Sequence, residues 1–149
     1  MKEYALERFI TAQEGVYPRA LAELQRGCKQ THWMWFIFPQ LRILGQSDRA
    51  IFYGIAGEEE ARAYCENELL YARYIECCQA LEGLEENNPR RVMGEIDDMK
   101  LRSSLTLFYM VDERGRDLYK RLLEKFYHGK LDGLTVDFIQ KERSKRGGV

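Results

Sequence analysis

Apolar residues recur along this chain at the three- and four-residue spacing that places them on one face of an α-helix. Leu6, Phe9 and Ile10 follow this spacing in the first segment, and Leu101 and Leu105 follow it in a later one. Because a half-buried strand would instead alternate every second residue, the pattern predicts helices. The pattern continues into the last segment, LTVDFIQKERSK, and stops before the final RGGV.

Glycine, proline and capping residues divide the pattern into separate elements. Gly27 is a suitable C-terminal stop, Ser47 is a suitable N-cap, and the loop EENNP ends at Pro89. These helix start and stop signals predict an all-α fold, a bundle of seven or eight mostly short helices. We expect one domain over residues 1–149, with a loose C-terminal tail from about residue 144.

The hydrophobic pattern of the run THWMWFIFPQL does not by itself distinguish a helix from a strand. Six consecutive apolar residues suit either a buried strand or a buried short helix. A short helix is favoured because Thr31 is a suitable N-cap and no other segment has enough strand character to pair with this one. Pro39 would then end the helix at Phe38. The aromatic side chains fit core packing or the wall of a pocket.

Composition and charge are typical of a globular domain without a nucleic-acid partner. Of 149 residues, 45% are hydrophobic and 32% are charged, which disfavours disorder. The 23 basic and 24 acidic residues leave no basic excess of the kind that nucleic-acid binding requires. We interpret one basic cluster as a solvated helix end; it comprises Lys141, Arg143, Lys145 and Arg146.

The sequence predicts a cytoplasmic protein that has no metal and no cofactor. No apolar run reaches the roughly 18 residues of a membrane span, and the start MKEYALERF is charged where a signal peptide is apolar. The four cysteines are then expected to be reduced, and their spacing does not match a zinc site. Glycine-rich phosphate loops and zinc-peptidase motifs are absent. The oligomeric state stays open.

A polar stripe lies beside the apolar face of the segment DDMKLRSSLTLF. On a helix, Asp97, Lys100 and Ser104 lie within about 60° of one another, and Ser103 is next to them. The stripe fits a surface ion pair beside small packing residues, or a ligand-binding surface. A Ser–Lys nucleophile is disfavoured because no Gly-x-Ser-x-Gly elbow is present to expose the serine.

Two motifs, HWMWFIFPQ and KLRSSLTLF, resemble those of a bacterial family of unknown function whose members are often labelled "calpastatin". The resemblance covers about residues 6–139. It implies a mainly helical, cytosolic single domain, and it implies no reaction. Calpain inhibitors of that name are long and disordered, whereas this chain is compact in composition and rich in aromatic residues.

The motif residues mix hydroxyl, amine, imidazole and amide groups with aromatic rings, which favours a ligand site over a purely structural signature. We therefore expect the 29–40 block to face the 97–106 helix across a cleft. The candidate ligand-binding residues are Lys29, Trp33, Trp35, Gln40, Lys100, Ser103 and Ser104. The candidate catalytic residues are His32 as general base and Asp97 as the group that orients it.

The ligand that suits this mixture is a small anionic, nucleotide-like metabolite, since stacking surfaces and anion-binding groups occur together. Whether the protein is an enzyme or only a binder stays open. The alternative is a non-catalytic helical module that binds another protein through its aromatic surface. Each candidate also has a structural interpretation, because a lone histidine or a tryptophan is often part of the core.

Overall fold

The computed structural model describes residues 4–147, and this part of the chain is all-α, as predicted. Its ten α-helices exceed the predicted seven or eight because short helices lie in segments that carry no clear pattern. They are α1 (Glu7–Gln13), α2 (Tyr17–Arg26), α3 (Met34–Ile37), α4 (Asp48–Phe52), α5 (Glu58–Glu66), α6 (Glu68–Glu82), α7 (Pro89–Met93), α8 (Asp98–Val111), α9 (Arg116–Tyr127) and α10 (Gly133–Gly147).

Helix α8 is central to the packing, and it contacts α5, α7, α9 and α10. Aromatic rings fill the space between these helices and α6. The rings of Tyr74 and Phe108 are 4.5 Å apart between centroids, and Tyr64 and Tyr119 pack around them. All four side chains are almost fully buried and belong to one hydrophobic core. Because this core holds α8 in place, it also positions the polar groups on the outer face of α8.

The segment that carries the aromatic run folds into a single helical turn, α3, as the sequence predicts. Its N-cap is Trp33 rather than Thr31, because the Thr31 hydroxyl donates instead to the Glu23 carboxylate at 2.7 Å. Phe38 takes the C-terminal position before the proline. The tertiary hydrogen bond from α2 therefore displaces the predicted cap by two residues.

A loop closed by two backbone hydrogen bonds follows α3. The Arg42 N–H donates to the Ile55 carbonyl at 2.8 Å, and the Ile55 N–H donates to the Gln40 carbonyl at 2.9 Å. A Cβ at Gly54 would come within 2.4 Å of the Arg42 Cα, so this close approach requires glycine. The closed loop carries a 3-10 turn (Arg42–Leu44) and α4, and it fixes Gln40 at its base.

Helix α10 is anchored to α5 by a buried carboxylate. Glu58 is 1% exposed and accepts hydrogen bonds from the guanidinium groups of Arg62, Arg143 and Arg146. The Glu58 N–H donates in turn to Glu142 at 2.9 Å. Two members of the basic cluster, Arg143 and Arg146, thus form tertiary ion pairs, although all four of its residues are exposed at the helix end.

The C-terminal tail that was predicted from about residue 144 is helical. Helix α10 continues through Gly147, because the ion pairs of Arg143 and Arg146 hold its last turns against α5. Residues 148–149 of the predicted tail lie outside the described residues. None of the helices within residues 4–147 combines the length and apolar character that a membrane crossing requires.

Candidate functional site

A polar groove lies between α8 and the loop that follows α3. Its volume is about 390 Å³. Three of the predicted ligand-binding residues line it: Gln40 from the loop, and Lys100 and Ser103 from α8. Its other lining side chains include Leu44, Gln46, Ser47, Met99, Asp132 and Leu134. The groove thus joins the two sequence segments that were expected to meet.

Trp35 borders this groove through a niche that it shares with Gln40 and Lys100. The niche measures about 10 Å³, which admits at most one water molecule. An aromatic ring of a ligand therefore does not fit there. The Arg49 guanidinium lies over the Trp35 ring, 5.2 Å from its centroid.

Asp97 forms ion pairs with both of the predicted lysines, Lys29 and Lys100. Its Oδ2 is 2.9 Å from the Lys29 Nζ, and its Oδ1 is 3.3 Å from the Lys100 Nζ. Lys29 also donates to the Thr31 carbonyl at 2.7 Å, and its side chain is 7% exposed. The Lys100 side chain is 32% exposed and lines the groove, so its remaining N–H donors are available to a ligand.

His32 faces a different hollow from the one that contains Lys100. It is exposed, and it lines a shallow depression of about 480 Å³ together with Trp35, Asp48 and Arg49. Among the described residues, no hydrogen bond joins His32 to Asp97. The candidate base and its candidate orienter therefore do not form an acid–base pair in this conformation.

Two other predicted ligand-binding residues are buried and bonded within the core. Trp33 is fully buried, and its Nε1–H donates to Glu23 at 2.9 Å. Ser104 is fully buried, and its hydroxyl is 2.8 Å from the Tyr74 hydroxyl. Ser103, next to it, donates to the Met99 carbonyl one turn earlier and borders the groove.

Asp132 is a groove residue that sequence reasoning missed. Its Oδ2 caps α10 by accepting from the Thr135 N–H at 3.1 Å and from the Thr135 hydroxyl at 2.6 Å. Its Oδ1 is 3.7 Å from an Arg102 nitrogen. Its own N–H donates to the Thr106 hydroxyl on α8 at 2.9 Å, which fixes the loop there. The pattern Asp-x-x-Thr signals a cap, but only tertiary structure puts Asp132 in the groove.

The groove therefore contains one ammonium group and one carboxylate, contributed by different elements. Such a lining suits a ligand that carries both an anion and hydrogen-bond donors. Within residues 4–147, histidine, cysteine and acidic side chains do not gather in the groups of three or more that could hold a metal ion.

Comparison with known proteins gives a family match and a similar solved structure. A family model described as "Protein of unknown function (DUF1810)" matches residues 3–139, nearly the span of the resemblance noted from the sequence. The crystal structure of the conserved hypothetical protein Rv1873 from Mycobacterium tuberculosis is similar, with 42% identity and a TM-score of 0.87. The similarity covers 91% of this chain and 96% of that chain. No curated protein matches.

Proposed function

This chain belongs to the family described as Protein of unknown function (DUF1810), and we propose that it binds a small anionic, nucleotide-like metabolite in the groove between α8 and the loop after α3. The ligand's anion would lie against Lys100. Its neutral polar groups would bond to Gln40 and Ser103, and sugar hydroxyls would donate to Asp132.

The observation that carries this proposal is the joint lining of one groove by Gln40, Lys100 and Ser103. At about 390 Å³ the groove falls within the range of small-molecule sites. Lys100 retains donors because its ammonium has three N–H groups and its hydrogen bond to Asp97 uses one of them. In ligand sites, a small number of polar groups on a concave surface fixes the orientation of the ligand.

The same geometry favours binding over acid–base catalysis by the predicted pair. His32 lines a separate depression, and Asp97 is held between two lysines. A general base must lie within hydrogen-bond reach of the proton that it removes, directly or through one water. A ligand in the groove would contact Lys100 but not His32, because His32 is not among the residues that line the groove.

The test is a calorimetric titration with adenosine monophosphate at low salt. We expect the Lys100→Ala variant to bind adenosine monophosphate at least about tenfold more weakly, because it loses one charge-assisted hydrogen bond to the ligand. The Gln40→Ala variant should lose affinity as well. The matched control is Lys120→Ala, which removes an exposed lysine on α9. Affinity that survives both groove variants would refute this site.

The alternative function, a protein-interaction module, is supported by a different surface. Phe52 is 58% exposed and Ile51 is 46% exposed on α4, next to the depression that contains His32 and Trp35. Exposed aromatic residues of this kind are enriched in protein interfaces. A Phe52→Ala variant that lost a protein partner but kept nucleotide affinity would support this second function.

A further inference from the structure

A second hollow adjoins the polar groove. It has a volume of about 830 Å³ and lies between α10, the 3-10 turn and the start of α5. Leu44 and Leu134 line both the hollow and the groove. The two cavities are therefore neighbours across a shared apolar edge, and a ligand a little longer than the groove would extend into the hollow.

The lining of the hollow combines large apolar and aromatic side chains with charged ones. Ile43 and Leu134 are each 67% exposed, although both are large hydrophobic residues. The rings of Tyr4 and Phe138 also line the hollow. Exposed apolar side chains gathered in a concave surface mark ligand or partner sites more often than isolated ones do. Such a surface suits a flat ring.

The charges around the hollow have both signs. Lys141 and Lys145 supply donors, and Glu59 and Asp137 supply acceptors. Mixed charges of this kind favour a neutral ring with donor and acceptor edges over a second anionic group. The bond from the Glu58 N–H to Glu142 connects the wall formed by α10 to the start of α5.

The number of cations in the groove limits the charge of the ligand. Within the described residues, Lys100 is the cationic side chain that lines the groove. One ammonium with unused N–H donors matches one phosphate, and the Asp132 carboxylate in the same lining disfavours a second phosphate. A ligand with a single phosphate, a sugar and a flat ring satisfies the groove and the hollow together.

We propose that groove and hollow form one bipartite site for a nucleoside monophosphate; this inference rests on the proposed function and assigns the two ends of its ligand. The phosphate and ribose lie in the groove, near Lys100 and Asp132. The base lies in the hollow, across the edge formed by Leu134, against the rings of Tyr4 and Phe138. The aromatic contact is thus made by different rings from the tryptophans that the sequence suggested.

The experiment compares adenosine monophosphate with ribose 5-phosphate, which keeps the polar half and lacks the base. We expect the nucleotide to bind wild type at least about tenfold more tightly, because stacking of a base on aromatic rings stabilises binding by about that factor or more. Tyr4→Ala should remove most of this difference and leave the affinity for ribose 5-phosphate unchanged. Phe52→Ala, which removes an exposed aromatic ring outside the hollow, is the matched control.

The outcomes separate this inference from the function on which it rests. Equal affinities for the two ligands, with Lys100→Ala weakening both, would overturn the bipartite site and leave the groove as a phosphate-sugar site. If neither ligand shifts the NMR signals of the Gln40 and Lys100 side chains, both proposals fail. Shifts from the nucleotide at the methyl groups of Ile43 and Leu134, absent with ribose 5-phosphate, are the direct supporting result.

Discussion

The indole Nε1–H of Trp33 donates a hydrogen bond to Oε1 of Glu23 at 2.9 Å, and both residues are at most 1% exposed. The same carboxylate accepts from the backbone N–H groups of Gln30 and Thr31 and from the Thr31 hydroxyl. One carboxylate on α2 thus fixes the segment 30–33 that leads into α3. The contact places Trp33 in the scaffold that presents Gln40 to the groove.

Replacing Glu23 should destabilise the fold more than replacing an exposed acidic residue. Glu23→Ala leaves four donors without their partner, and we expect a loss of about 3 kcal/mol or more in the free energy of unfolding. Glu85→Ala, at an exposed position, is the control and should change the free energy by less than about 0.5 kcal/mol. Urea denaturation followed by tryptophan fluorescence measures both. Equal stability of the two variants would contradict the structural role of Glu23.

Two buried carboxylates should make the fold sensitive to acid. Burial opposes ionisation of Glu23, but the hydrogen bonds from Thr31, Gln30 and Trp33 outweigh it and lower its pKa from 4.5 to about 2. Hydrogen bonds from Arg143 and the other arginines outweigh burial and lower the pKa of Glu58 from 4.5 to about 2 as well.

Because both pKa values are lower in the folded state, the stabilisation is fully present above pH 4.5 and is lost as the pH falls toward 2. Each group should contribute at most about 3 kcal/mol. Unfolding free energies measured between pH 7 and pH 2.5 should fall steadily below pH 4.5. In the Glu23→Ala variant the slope should be shallower, and an unchanged slope would count against this assignment.

The attachment of α10 to α5 should depend on Glu58. Glu58→Ala removes the shared partner of three guanidinium groups, so we expect faster hydrogen exchange along α10 and a loss of about 3 kcal/mol or more in stability. Glu66→Ala, an exposed acid on the same helix, is the control. Exchange rates in α10 that do not differ between these variants would show that the ion pairs are not what holds the helix.

The two adjacent serines on α8 should respond in opposite ways. Ser104→Ala leaves the buried Tyr74 hydroxyl without its partner at 2.8 Å, which should cost about 1–3 kcal/mol in stability and leave ligand affinity unchanged. Ser103→Ala should change stability little and weaken ligand binding, because this hydroxyl borders the groove. Thermal unfolding and calorimetry on the pair distinguish the roles, and a reversed pattern would exclude the groove as the site.

Thiol chemistry should distinguish one cysteine from the other three. Cys28 is exposed, whereas burial raises the pKa of Cys65 and Cys77 to about 12 and raises that of Cys78 well above its usual value. We expect a thiol reagent at pH 8 to modify one equivalent in the folded protein and four after denaturation. A Cys28→Ser variant should show no fast reaction, and rapid modification of more than one thiol would contradict this burial.

The helices with long apolar stripes could be predicted because local spacing decides which face a helix buries. The stripe through Leu101 and Leu105 is buried as expected, and Ser47 caps α4 through its bond to the Ala50 N–H. Short helices such as α7 could not be predicted, since five residues carry too little periodicity. Thr31 failed as a cap because a distant carboxylate competes for its hydroxyl.

The all-α class and the buried faces of the longer helices follow from the sequence, because helical period is a local property. That the 29–40 block meets the 97–106 helix was a hypothesis at that level, because spacing along the chain does not specify contacts between distant segments. Which polar groups face the groove depends on how the helices pack together. Neighbouring residues on α8, such as Ser103 and Ser104, differ by rotation about the helix axis, and the packing of the helix places Ser103 at the border of the groove and Ser104 against Tyr74. Asp132 and the hollow beside α10 likewise exist only because distant segments are packed together.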